Sequence, residues 1–288
     1  MSMPSNTTRR FLYSALTLAG VVLSCPAHAA DSYAFGSCKP TGKPNSVSLT
    51  TLDKDTLTVA TVLPNPGWWN GTSPNTIEGG FEYCLAADIA YRAGLHHVKI
   101  RNMAWDQYIS GTATGYDIAL SSTTITDARK RIFNFSRPYF SSNLGVAIRA
   151  SADVTEGNIR TKRIGVLQGN VGAEWVAHTL KPKAVSVYQS QTDMFTALVA
   201  GQVGAVITDT TLALSQIKES NGALRVTGQY ALNQGYGVIT PRGSANTDAV
   251  DKVVGELVTD GSVQQLSTTY LQPMFGVDPN AVPVWSVK

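Results

Sequence analysis

From residue 57 onward the chain switches repeatedly between two hydrophobic periods. Leu57-Thr58-Val59-Ala60 reads as a short strand. Phe81, Cys84, Leu85, Asp88 and Ile89 fall at i, i+3, i+4, i+7 and i+8, which predicts a helix over residues 82–93 that Gly94 ends. His97 to Ile100 is the next strand, Asp106 to Ala113 reads as helical, and Tyr116 to Leu120 is a buried strand. Order βαβα implies a largely parallel sheet. The pattern then restarts. Arg163 to Leu167 is a strand running into "QGNVGAEW" and a helix, and Val185 to Tyr188 is another strand. Ser190 with Asp193 forms a capping box for a helix over Thr192 to Ala200, stopped by Gly201. Ala205 to Thr208 is a buried strand ending at Asp209. Later, Val250, Val253, Val254, Leu257 and Val258 share one helix face, and Val263, Leu266 and Tyr270 share another. The expectation is two α/β units joined by extended segments at Leu144 to Ile148 and Tyr236 to Ile239. Residues 31–52, rich in Gly, Pro, Ser and Thr, read as an extension rather than core.

In open α/β sheets ligands bind beyond the carboxyl ends of strands. Three such ends carry polar groups here: Ser121 to Arg129, Gly169 to Glu174, and Asp209. Arg129 can grip a carboxylate with two parallel hydrogen bonds. Thr124 and Ser122 offer hydroxyls nearby, and Ser122 also a carbonyl. Gly169, Asn170 and Val171 lie between a strand and a helix, where backbone N–H groups hold anions. Asp209 is an acceptor-only group suited to an ammonium. A positive clamp and one acid at convergent strand ends describe the recognition of an α-amino acid. Taken singly, Arg129 reads equally as a surface arginine and Asp209 as a helix cap.

Composition narrows the class. Of 288 residues, 43% are hydrophobic and 15% charged, which fits a packed globular chain. The N-terminus reads as an export signal spanning residues 1–30. Arg9 and Arg10 form its basic region, Phe11 to Leu23 a short apolar run, and Ala27-His28-Ala29 a cleavage pattern. Without that segment Lys plus Arg falls from 23 to 21 while Asp plus Glu stays at 20, so the mature chain is near neutral. Near-neutrality argues against a nucleic-acid partner. Val22-Leu23-Ser24-Cys25 is a competing lipoprotein reading that would acylate Cys25, and Arg9-Arg10 a twin-arginine one. If Cys25 leaves with the signal, Cys38 and Cys84 remain, and a pair in an exported chain reads as a disulfide, the alternative being two buried free thiols. No metal-ligand spacing, Walker loop or dinucleotide glycine pattern occurs, so no cofactor or metal is expected and ATP would belong to a partner.

The segments "GGFEYCLAADIAYRAG", "YDIALSSTTITDARKRIFNFSRPYF", "RIGVLQGNVGAEW", "QSQTDMFTALVAGQVGAVITDT" and "VVGELVTDGSVQQLSTTYL" occur in the order found in the periplasmic polar-amino-acid binding proteins of ABC importers. The chain resembles that family over about residues 53 to 273. The resemblance implies a type II periplasmic binding protein fold: two lobes, each a mainly parallel sheet flanked by helices, linked by two hinge strands. Lobe 1 would hold 53–146 and 240–288, and lobe 2 would hold 147–239. It further implies an exported, periplasmic, monomeric protein that delivers a small amino acid or similar carboxylate to a membrane permease, and not an enzyme. By the same likeness Arg129 and Thr124 hold the ligand carboxylate and the Ser122 carbonyl meets the α-amino group. Gly169, Asn170 and Val171 supply the turn, Asp209 the acid, and Trp105 an aromatic wall.

The sequence departs from the family pattern in three places. Val171 lacks the usual hydroxyl. Relatives for basic amino acids often place an acid after the first strand, where Val62 and Leu63 stand, so a neutral or aromatic ligand is expected; Glu78 or Glu82 could still reach the pocket from the next loop. The aromatic after that strand is displaced: Asn65 holds its place, with Trp68 and Trp69 following, one of which is expected in the pocket. The alternative on the same fold is a cyclohexadienyl or arogenate dehydratase-like enzyme, whose catalytic acid would fall at Glu174. A sensor or lytic-enzyme module would need a further domain.

Overall fold

The computed structural model describes residues 33–232 and 234–287, with the first two residues. The export signal and Cys25 fall outside the described residues. In chain order the strands are β1 (Thr56–Thr61), β2 (His97–Asn102), β3 (Ile118–Ala119), β4 (Phe133–Phe135), β5 (Phe140–Ser141), β6 (Leu144–Arg149), β7 (Arg163–Leu167), β8 (Ala184–Tyr188), β9 (Ala205–Asp209), β10 (Leu224–Tyr230), β11 (Gly235–Tyr236) and β12 (Ile239–Pro241). The helices are α1 (Phe81–Arg92), α2 (Trp105–Ile109), α3 (Asp127–Lys130), α4 (Val171–Trp175), α5 (Gln191–Val199), α6 (Thr210–Glu219), α7 (Thr247–Thr259), α8 (Ser262–Leu266) and α9 (Gln272–Phe275).

Two five-stranded sheets carry the fold, ordered β2-β1-β3-β12-β4 and β8-β7-β9-β6-β10. Parallel pairs join β2, β1 and β3 in one and β8, β7 and β9 in the other. β12 runs antiparallel to both β3 and β4, and β6 to both β9 and β10. Within each sheet four strands therefore point one way and one points back, the mainly parallel arrangement expected. The reversed strand holds the same place in both sheets, and in both it is the strand on which the chain arrives from the other lobe. β1 and β9 are buried along nearly their whole length, and each carries only apolar residues and threonine up to the Asp209 that ends β9.

The crossings occur through a third, two-stranded sheet in which β5 and β11 pair antiparallel, Phe140 opposite Tyr236. The first crossing was expected at Leu144 to Ile148, but those residues already belong to β6 in the second sheet. The chain crosses just before them, because Asn143 and the β5 pairing end the first lobe's course.

In the first lobe α1 is buried at every residue except Tyr91, although it carries Glu82, Asp88 and Arg92. Residues 33–52 explain how. Cys38 is bonded to Cys84, with Cα atoms 5.3 Å apart. Thr41 donates to Asp88 Oδ1 from its N–H (2.6 Å) and its hydroxyl (3.0 Å). Arg92 donates to the Thr41 carbonyl at 3.2 Å and pairs with Glu256 at 3.0 Å and Asp260 at 2.8 Å. Phe35 is buried in the first-lobe core. The extension was expected to lie outside the core; it forms the outer cover of α1. The turn before α1 needs glycine, since Gly80 has φ +118° and a Cβ there would sit 2.4 Å from the Trp68 carbonyl oxygen.

At the other end the chain does not stay with the first lobe. Leu271 and Phe275 belong to its core, but Val284 lies parallel to Gln229 on β10, and Trp285 donates its N–H to the Gln229 carbonyl at 2.7 Å. Trp285 and Tyr230 meet edge to face. Residues 282–286 thus cover β10 of the second sheet.

Candidate functional site

The end of β3 delivers the hydroxyl run of residues 121–126 to the space between the lobes. Ser122 takes a left-handed backbone conformation, φ +47°, which a side chain with a Cβ adopts only when its surroundings enforce it. Glu82 supplies that constraint. Its Oε1 accepts from the Ser122 N–H (2.6 Å) and the Tyr139 hydroxyl (2.5 Å), and its Oε2 from the Trp69 indole N–H (2.7 Å). Burial pushes the Glu82 carboxyl up, opposed by the donors from Tyr139, Ser122 and Trp69. Glu82 is completely buried and both of its oxygens are taken by these donors, so it holds the loop.

Arg129 sits on α3, whose N-cap is Thr126: the Thr126 hydroxyl accepts the Arg129 N–H at 3.1 Å. The guanidinium folds back under the loop. Nη1 donates to the Thr124 carbonyl at 2.8 Å, and Nη2 crosses to the second lobe and donates to the Gly169 carbonyl at 3.0 Å. Trp105 makes a parallel crossing, its indole N–H donating to the Gln168 carbonyl at 2.6 Å, with the Arg129 guanidinium 5.9 Å from its ring centre. Burial pulls the Arg129 pKa below the ordinary arginine value, opposed first by the charge of Asp209.

From the second lobe, β9 ends at Asp209, which is buried. Its Oδ1 accepts from Gln234 Nε2 at 3.0 Å and its Oδ2 from Asn170 Nδ2 at 3.4 Å. Burial pushes this carboxyl up, while hydrogen bonding from Tyr236 and Asn170 and the charge of Arg129 pull it down. The same Gln234 accepts from the Thr124 hydroxyl at 3.4 Å, so one amide bridges the first-lobe hydroxyl to the second-lobe acid. Asn170 caps α4 by accepting the Gly172 N–H at 2.7 Å. Gly169, at φ +68°, makes the turn that precedes it.

Beside this charged cluster lies a cavity of about 500 Å³, walled by Val62, Leu63, Trp105, Ser121, Ser122 and Asn170 among others. Its size falls within the range of roughly 300–1,000 Å³ common for small-molecule sites. It sits beyond the carboxyl ends of β1, β3 and β7, where strand geometry places ligands. Asn170 belongs both to the cavity wall and to the acid cluster.

The model of the bacterial extracellular solute-binding proteins, family 3, matches residues 57–273. The chain belongs to that family. It is 28% identical over 207 residues to the L-cystine-binding protein TcyJ of Escherichia coli strain K12, covering 69% of this chain and 75% of that one. It is 25% identical over 203 residues to the histidine-binding periplasmic protein of Salmonella typhimurium, covering 66% and 78%. The solved structure of an ancestral arginine-binding protein bound to glutamine superposes with a TM-score of 0.67 at 25% identity, covering 76% of this chain and 98% of that one. The two-lobed type II fold is thus that of the family, whose members bind solutes and are not enzymes. Among the described residues, no helix is long and apolar enough to cross a membrane, and no group of His, Cys, Asp and Glu could hold a metal.

In this solute-binding protein the residues singled out from sequence gather in two sets. Thr124, Arg129 and Asp209 form the buried cluster with Asn170, and the exposed Gly169 joins it through its carbonyl, which accepts from Arg129; Ser122 and Trp105 join Asn170 on the cavity wall. Val171 opens α4 without a hydroxyl. Glu174 stands exposed on that helix. Trp68 and Trp69 are corrected. Both are fully buried in the first-lobe core, Trp68 edge-on to Phe81, Phe140 and Tyr236, and Trp69 engaged with Glu82, and neither lines the cavity. Their turn is anchored by N–H bonds to the Asn65 carbonyl, which brings Asn65 to the cavity and turns the indoles inward. Sequence reasoning missed Gln234, Gln168 and the positioning role of Glu82. Gln234 reaches Asp209 only because β11 crosses between lobes, and no local pattern announces that.

Proposed function

We propose that this solute-binding protein is exported to the periplasm, captures a small α-amino acid between its lobes and delivers it to the membrane permease of an ABC importer. The observation that carries the reading is the position of Arg129, a buried cation at the lobe junction, facing Asp209 of the other lobe. The unused donors of Arg129, the Thr124 hydroxyl and the amides after Gly169 are placed for the ligand carboxylate; the Ser122 carbonyl and Asp209 take the ammonium. A buried carboxyl whose pKa is raised by desolvation is stabilised by an incoming cation, so the ammonium would pull the Asp209 pKa back down. The relatives named above for cystine and histidine, both α-amino acids, support the class. The lobes are taken as residues 53–143 with 239–281, and 144–238 with the terminal strand that covers β10; ligand binding closes them as a hinge. The protein acts as a monomer, has no nucleic-acid partner, and reaches the periplasm after its N-terminal signal is removed.

The test is calorimetry of the purified protein with the twenty L-amino acids, repeated on Arg129→Ala. Loss of a charge-assisted bond in a dry cleft costs about 2–5 kcal/mol, so affinity should fall roughly thirtyfold or more. An amino acid bound with unchanged affinity by Arg129→Ala would sink the cradle.

A further inference from the structure

The side chains assigned to the amino acid are covered. Thr124, Arg129 and Asp209 are 4%, 7% and 1% exposed, and none of them is among the residues that wall the cavity. A side chain of the protein itself engages two of them. Gln234, also buried, immediately precedes β11, where residues 123–125 and 235–237 run side by side. The Ile125 N–H donates to the Gly235 carbonyl at 2.8 Å, and the Gly237 N–H to the Thr123 carbonyl at 3.1 Å. Those backbone bonds bring Gln234 between the lobes. Its Nε2 donates to Asp209 Oδ1 at 3.0 Å, and its Oε1 accepts from the Thr124 hydroxyl at 3.4 Å. A carboxamide has donors at one end and an acceptor at the other. Here the donor end lies on the acid proposed for the ligand ammonium, and the acceptor end on the hydroxyl proposed for the ligand carboxylate. The side chain therefore repeats, without charge, the polarity of an α-amino acid.

These bonds cannot all be shared with a ligand. Thr124 has a single hydroxyl proton, which goes either to Gln234 or to a carboxylate. Both oxygens of Asp209 are engaged, Oδ1 by Gln234 and Oδ2 by Asn170, and the residue has almost no open surface. We infer that Gln234 is an internal competitor for the amino-acid seat, and that an incoming amino acid must displace its carboxamide from Thr124 and Asp209 in order to be held. The inference rests on the amino-acid reading above. The internal bond has a physical use, since a buried carboxylate without a donor carries a large desolvation penalty. Its consequence is that binding becomes an exchange of partners and that Gln234 lowers the affinity. A seat filled by its own side chain about nine-tenths of the time binds roughly tenfold more weakly than a free one.

The test is calorimetry with the twenty L-amino acids on the wild-type protein, on Gln234→Ala and on Gln234→Asn, with thermal unfolding of each alongside. Alanine removes the competitor; asparagine keeps the amide on a side chain one carbon shorter, which does not span Thr124 and Asp209 together. The amino acid that binds the wild type should bind Gln234→Ala about tenfold more tightly, and Gln234→Asn more tightly as well. Both variants without ligand should unfold at a lower temperature than the wild type, because Asp209 loses a donor. A residue that touched the ligand, or only positioned Asp209 for it, would move the affinity the other way. Unchanged or weaker binding in whichever variant folds would overturn the inference while leaving the amino-acid reading intact. Absence of binding of any amino acid to all three proteins would overturn that reading, and this inference with it.

Discussion

The two lobes share a strand order and differ in what covers the helix after the first strand. In the first lobe α1 is buried and its charged residues are fastened by the extension, a disulfide and two ion pairs. In the second, the equivalent α4 keeps only Gly172 buried and leads into a π-helical turn over Val176–Leu180. Each lobe also contributes one buried carboxylate near the cleft, and these diverge in the same sense. Glu82 of the first lobe is enclosed by neutral donors and touches no cation, whereas Asp209 of the second holds two amides and feels Arg129. One topology thus supports a braced lobe that shapes the binding loop and a lightly covered lobe that brings its acid to the ligand.

Asp209→Ala should separate these roles most clearly. Amino-acid affinity should fall by about 2–5 kcal/mol by calorimetry, with the unliganded protein still folded by circular dichroism. A folded variant that binds as tightly as the wild type would erase the distinction between the two carboxylates. Opening the Cys38–Cys84 bond, which closes a separation of 46 residues, should cost about 3–4 kcal/mol of stability in the chain-entropy account. Chemical denaturation of Cys38→Ser/Cys84→Ser measures this, and a loss near zero would mean that the extension braces α1 without its staple. Glu82→Gln places an amide N–H₂ against donors from Trp69, Ser122 or Tyr139, and should cost about 1–3 kcal/mol in unfolding free energy. It should also weaken binding through Ser122, and full affinity in that variant would deny Glu82 its part in shaping the loop.

The smallest effect concerns pH. Burial raises the Asp88 carboxyl from 3.8 to about 6, against the opposing hydrogen bonds of Thr41 and the charge of Arg92, with Asp260 adding to the rise. A carboxyl whose folded pKa lies above its unfolded one binds its proton more tightly when folded, so this group's contribution to stability declines as pH rises from about 4 to about 6. Asp88→Asn should flatten that part of the stability profile, measured by thermal unfolding across the same range. An unchanged slope would place the titration elsewhere.

Much of this arrangement is legible in the sequence because it is local. The α1 helix and the Ser190-capped helix fall within one residue of their expected bounds, since spacing and caps lie inside each segment. The helix expected to Ala113 stops at Ile109, because Ser110 and Gly111, with φ +74°, turn the chain. Strand β10 escaped notice for a physical reason: a bulge between Val226 and Gly228 breaks its alternation, and Trp285 from the far end of the chain covers it. In the candidate site, Thr124, Asn170 and Asp209 could be named because each lies at or just after the end of a readable strand, and Arg129 because it follows the hydroxyl run in the same segment. Gln234 and Asn65 could not be given roles, because each acquires its neighbours through a crossing or a turn. Trp68 and Trp69 misled because an indole looks alike in a core and in a pocket.

The tail that ends on β10 makes the molecule a ready-made gauge. Tyr33 and Phe35 lie on the first lobe beside α1, and on the second lobe the Ser286 N–H and hydroxyl both donate to Glu156 at 2.7 Å. Dyes attached at exposed positions near these two places, such as Lys39 and Ser286, would ride on opposite lobes without entering the cleft. The energy transfer between them would then read out opening and closing directly, one molecule at a time.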